Sequence, residues 1–250
     1  MNMLTLELFK MKRRKLLWIP SLIFLLGLVW SLAGILQEFN HTSGEMVQTI
    51  ENTLYSFSVL NAMFKPLLIV SLVTNLCENE HRHQTFKLLF TNQQNRIQLF
   101  LSKWFLTSGL LLVFGWIQIL SISLLFIGYD VDFSVMALLH FGFLTFISSL
   151  LLATIHLFLS LYYHKQLISF GFALFGSFIG LATQGMLPRP LMIILPWQYY
   201  RLLAPYDMVF VNQEVLFIEN QYLLPLALLV MVMLVLALLI SLILYHQKEV

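Results

Sequence analysis

The residues best equipped for chemistry in this chain crowd into one short stretch. Glu78, Glu80, His81 and His83 offer carboxylate and imidazole donors side by side, the groups that hold zinc when two histidines share a helix face with a glutamate between them. The spacing does not suit that chemistry. His81 and His83 are two positions apart, so a helix points them in different directions, and the pattern HExxH is absent. The other histidines (His41, His140, His156, His164 and His246) add no ligand spacing. Cys77 is the single cysteine, which excludes an internal disulfide and a cysteine-rich metal site. No serine, histidine and acid combination stands out. No glycine is followed by lysine, so the phosphate-cradling pattern GxxxxGK[ST] is missing and the chain cannot bind ATP by that route. The expectation is no catalytic residue and no metal.

A different kind of chemistry attaches to Lys65, a lone cation within an apolar run. Asn61 and Ser58 share its face at helical spacing, and the stripe continues toward Asn75. An isolated ammonium at the centre of a bilayer costs about 3 kcal/mol or more, so it must face the bundle interior, water or a snorkelling route. Two readings stand. Asn61 and Lys65 are candidate pathway residues, or the span begins later or breaks before Pro66. His156 could line a polar patch with Thr154 and Ser160, as a structurally satisfied histidine.

The elements that carry these residues follow from composition. Of 250 residues, 59% are hydrophobic and 10% charged, against roughly 25% charged in an ordinary globular protein. Leu, Phe, Ile, Val and Met come in blocks, which marks an integral membrane protein with almost no soluble domain. A net charge of +2 is too small to imply a nucleic-acid partner. Crossing the hydrocarbon takes about 20 largely apolar residues. Six segments qualify: 16–36, 55–76, 104–127, 134–160, 167–185 and 222–244. The first is too long for a signal peptide's apolar core of roughly 7–15 residues. Residues 187–206 hold Pro188, Pro190, Pro196 and Pro205. That broken stretch suits a hydrophobic element that folds back at the membrane surface. The fold expected is an all-α membrane protein, one permease-like domain over 1–250.

Orientation comes from lysine and arginine near the span ends. Lys10, Lys12, Arg13, Arg14, Lys15, Arg82, Lys87, Arg96, Lys103, Lys165 and Lys248 fall on one side. Glu38, Glu45, Glu51, Asp130, Asp132, Asp207, Glu214 and Glu219 fall on the other, with Arg189 and Arg201. Both termini are expected in the cytoplasm. Residues 3–15 combine apolar side chains with the basic cluster, as in a helix lying along the inner interface against anionic lipid; a basic flank that only sets topology is equally compatible. Trp18, Trp104, Tyr129, Trp197, Tyr199 and Tyr222 sit where interfacial anchors belong.

The connection 77–103 is the longest polar segment expected inside the cell. Phe86 to Phe90 and Ile97 to Leu101 give two apolar clusters, read as short amphipathic helices about a turn near 91–95. Such a segment could dock a partner or remain a solvated loop. Gly176 and Gly180 form a GxxxG pair in the fifth span, a helix-packing signal.

Glu78-Asn79-Glu80, Thr85, Leu88-Leu89, Arg96 and Lys103 together resemble a pattern that follows the second span in permeases of the type 2 ABC exporter superfamily. Gln84 stands where that pattern commonly has glycine. Over nearly its full length the chain is similar to the small permease subunits of lantibiotic-immunity (bacteriocin-protection) exporters. The resemblance implies an amphipathic amino-terminal helix, six spans, a re-entrant extracellular segment and a coupling helix within 78–103. It implies that Glu78, Glu80, Thr85, Leu88, Leu89, Arg96 and Lys103 form the ATPase-coupling segment. The implied partners are a separate cytoplasmic ATPase dimer carrying ATP and Mg, a second permease chain (related or identical), membrane lipid and a peptide substrate. The chain itself would bind no cofactor. The implied function is export of an antimicrobial peptide across the plasma membrane for self-immunity; the alternative is a secondary transporter or a membrane scaffold.

Overall fold

A computed structural model describes residues 16–41, 50–82, 96–163, 165–183, 187–211 and 214–247. Their order is α1 (Trp18–His41), α2 (Ile50–Arg82), α3 (Arg96–Gly128), α4 (Val135–Tyr162), α5 (Leu167–Ala182), α6 (Arg189–Ile194), a 3₁₀ turn (Pro196–Gln198), α7 (Tyr199–Leu202), β1 (Tyr206–Val211), β2 (Glu214–Glu219) and α8 (Leu223–Gln247). Among the described residues five helices, α1 to α4 and α8, are long and apolar enough to cross a membrane. The interfacial helix expected over 3–15 lies outside the described residues.

The centre of the bundle is α2. Its most apolar stretch is 72% buried, against 28% for α1 and α3 and 22% for α8. It packs along α1, α4 and α5 and also reaches α3, α7 and the hairpin. Leu54, Phe57, Leu68, Ile69, Leu72 and Val73 are its contribution to the core. Peripheral helices instead expose Trp18, Leu22, Val29 and Trp30 on α1 and Leu224, Leu228, Val232 and Val235 on α8. Such apolar exteriors belong in lipid or against another apolar surface, not in water.

The helices differ from expectation in specific ways. The break before Pro66 does not occur: α2 runs unbroken through that proline. Neighbouring helices can re-satisfy the backbone groups a proline frees within a bundle. At 33 residues each, α2 and α3 are about 50 Å long at 1.5 Å per residue, well beyond a hydrocarbon core of about 30 Å. The connection shrinks accordingly. Residues 77–82 extend α2, and Ile97 to Leu101 form the first turns of α3 rather than a separate helix. The first amphipathic cluster, Phe86 to Phe90, lies outside the described residues. The fifth segment, expected over 167–185, gives a 16-residue helix.

Residues 187–206 break into short helices as the prolines dictate, with Pro188 preceding α6 and Pro196 opening the 3₁₀ turn. The chain then turns from helix to strand. β1 and β2 pair antiparallel, Tyr206 opposite Glu219 and Val211 opposite Glu214. This hairpin is a β element on a fold expected to be all-α. It is tied down by Asn220, whose Nδ2 donates to the carbonyls of Leu202 (3.0 Å) and Ala204 (3.1 Å) while its Oδ1 accepts from the Tyr222 amide at 3.1 Å.

Candidate functional site

Two polar zones lie along α2. One is at the end nearest the 83–95 connection. There the carbonyls of α2 receive side chains from other segments, which their second lone pairs allow. Lys103 on α3 donates from Nζ to the carbonyl of Leu76 at 2.7 Å, and Gln166, just before α5, donates to the carbonyl of Thr74 at 3.2 Å. Asn75 reaches outward from α2 to the carbonyl of Leu16 at 2.9 Å. Three separate segments are thereby fastened to one turn of α2.

The apolar surroundings make this fastening stiff. Leu99, Phe100, Lys103 and Thr107 bury one face of the start of α3, and Phe100 meets the ring of Tyr245 on α8 at 6.1 Å. One position beyond Lys103, the Trp104 indole donates to Thr154 Oγ1 on α4 at 2.8 Å. A buried charged donor on a backbone carbonyl contributes about 1.5–3 kcal/mol. Both stems of the connection are therefore joined to each other and to the bundle.

The second zone is midway along α2. Gln118 on α3 donates from Nε2 to Asn61 Oδ1 at 3.1 Å. Lys65, one turn along, is 4% exposed and holds its Nζ 5.7 Å from the ring centre of Phe24 on α1. Among the described residues no carboxylate pairs with it. A cavity of about 20 Å³ opens between these groups.

The far end of α2 meets the hairpin. Tyr55 packs on Phe217 with ring centres 5.7 Å apart. Burial, reinforced by the Glu51 and Glu219 carboxylates, pushes the Tyr206 phenol above its ordinary value.

The sequence-derived residues fall into these zones unequally. Lys103 is buried against Leu76; Glu78 is half-buried on the last turns of α2, and Arg96 opens α3. Glu80 is within α2, while Thr85, Leu88 and Leu89 lie outside the described residues. Asn61 and Lys65 share one cavity. Gly176 faces the indole of Trp197, and Gly180 faces Ala62 of α2. His156 takes Ser169 as its partner, at 3.1 Å, while Thr154 serves Trp104, so these two do not form one patch. Sequence reasoning passed over Gln118, Gln166 and Asn220. Gln118 had a signal, a lone amide in an otherwise apolar third span.

Among the described residues no group of histidine, cysteine and acid could hold a metal ion. A family model described as ABC-2 family transporter protein matches residues 3–180, well over half the chain. The chain belongs to the ABC-2 transporter family. Members are non-catalytic permease subunits that pair with an ATPase, and this permease has the multi-span apolar bundle such a role requires. The matched range covers α1 to α4 and most of α5; the short helices, the hairpin and α8 of the permease lie beyond it. No curated protein matches the chain.

Proposed function

We propose that this permease is the membrane half of an ATP-driven exporter. In this reading residues 83–95, with their stems to 78 and 103, take the push of a separate cytoplasmic ATPase dimer. ATP and Mg reside on that partner, and both termini of the permease are cytoplasmic. The observation that carries the reading is the bond from Lys103 to the Leu76 carbonyl. A loop on two independent stems would absorb a push locally. Here the stems are cross-bonded, both emerge from helices longer than the membrane is thick, and α2 runs on to the opposite face. Displacement at one end is thus carried to the hairpin as rigid-body movement.

A second permease chain, related or identical, completes the pathway in this proposal, because the cavity about Asn61 and Lys65 is too small to pass a substrate. The cargo we propose is a cationic antimicrobial peptide, with lantibiotic self-immunity as the setting. Glu51, Asp207 and Glu219 stand near the hairpin at the outer end, and clustered carboxylates raise the local concentration of a cation. Co-purification tests the reading. Tagged permease should retain the untagged ATPase, and alanine changes at polar positions 84–95 should release it. Transport that continues without the ATPase, driven by an ion gradient, would contradict the proposal.

A further inference from the structure

We infer that the cavity beside Lys65 is a site for one small monovalent anion of halide size, held between α1, α2 and α3. Asn61 and Lys65 come from α2, Gln118 from α3, and Phe24, Gly27 and Ser31 from α1. Asn61, Lys65 and Gln118 are each more than nine-tenths buried. Asn61 Nδ2 has no hydrogen-bond partner. Ser31 spends its hydroxyl proton on the Gly27 carbonyl at 2.8 Å. Turning either amide by half a revolution changes which N–H is left over but not the balance, because one ammonium and two amides bring more donors than acceptors.

Charge points the same way. An ammonium buried without a counter-charge is costly, and the face of Phe24 at 5.7 Å offsets only part of that cost. A neighbouring acid would be the usual remedy. Among the described residues none faces the cavity, and an anion taken up from solution would supply the missing counter-charge. Size selects its class: about 20 Å³ is close to the space one water-sized particle occupies. Chloride is a particle of about that size, and its single charge matches the single ammonium. Gly27 keeps the wall thin on the α1 side, since a side chain there would run into Phe64 within 2.8 Å. An anion here would bridge three helices and pin α1 to the α2–α3 pair.

The probe is bromide. Full-length permease in detergent is melted in chloride, bromide or gluconate at equal ionic strength, and crystals grown in bromide are searched for its anomalous signal. The site predicts a midpoint at least about 2 °C higher in either halide than in gluconate. It also predicts a bromide peak about 3.5 Å or less from Lys65 Nζ. Lys65→Met should abolish the halide-specific shift and Lys65→Arg should keep it. If Lys65→Met does not fold, the peak in the unaltered protein decides. Equal midpoints with no bromide peak, the result for a water or an uncharged amine, would overturn the inference. So would a halide shift that Lys65→Met leaves intact.

Discussion

Gly180 on α5 faces the carbonyl of Ala62 on α2 so closely that a methyl group at Gly180 would lie 3.1 Å from that oxygen. The helical donor to this carbonyl would be the N–H of residue 66, and Pro66 has none. The turn of α2 that Pro66 deprives of a donor is therefore the turn that a glycine backbone approaches, where weak Cα–H···O contact can supply part of what is missing. Gly180→Leu should destabilise the permease by about 1–3 kcal/mol through overpacking. Gly180→Ala should cost distinctly less, since a shift of a few tenths of an ångström accommodates it. Thermal unfolding of the two variants in detergent checks the order.

Lys103→Met keeps the bulk of the side chain and removes the donor to Leu76. The carbonyl loses a charged partner worth about 1.5–3 kcal/mol, which is tenfold or more in any equilibrium the bond biases. ATPase retention should persist, because the docking segment is untouched. Transport per ATP hydrolysed should fall about tenfold if the bond favours one orientation of the stems by that amount. Comparing hydrolysis with cargo movement in proteoliposomes reads this directly; a variant that loses both equally would argue for a purely structural role.

The long apolar runs were legible in the sequence, and α1, α3 and α8 overlap the first, third and last of them. Three features were not legible, each for a physical reason. Pro66 reads as a helix breaker by local rules, but the packing of α5 against Ala62 is a tertiary fact. Ile97 to Leu101 form an apolar cluster broken only by Gln98, which reads like a short amphipathic surface helix; the burial of Leu99 and Phe100 against the bundle makes them the start of α3. The hairpin hid in plain view. Tyr206–Val211 and Glu214–Glu219 are rich in β-branched and aromatic residues, but neither residue between them is glycine, and nearby prolines drew the reading toward a re-entrant element. At the candidate site, the lysine was legible as a motif member. Its acceptor was not, because a backbone carbonyl leaves no mark in sequence.

The hairpin should respond to alkaline pH through Tyr206. Its phenol is held above its usual range by burial first and by Glu51 and Glu219 second. Below the ordinary tyrosine value of about 10 both folded and unfolded chains keep the proton, and this group makes no pH-dependent contribution. Above it the unfolded chain releases the proton before the folded one, so stability falls as pH rises. Tyr206→Phe should flatten that part of the profile. Melting midpoints between about pH 9 and 11, compared in the two proteins, give the answer.

Removing Asn220 tests how the hairpin is held. Asn220→Ala leaves the Leu202 and Ala204 carbonyls without their donor, at a cost of about 1–3 kcal/mol. Limited proteolysis should then cut within 206–219 sooner than in the unaltered permease. Unchanged protection would mean that other contacts, Tyr55 on Phe217 among them, hold the hairpin without the Asn220 side chain.

The central claim is that the connection after α2 stands inside the cell, where an ATPase can move it. Asn92→Cys, in a background carrying Cys77→Ala, places a single thiol on that connection. No reaction with a membrane-impermeant maleimide is expected in intact cells, and ready reaction is expected once the cells are opened. Prompt labelling of intact cells, with the permease in its native assembly, would contradict it.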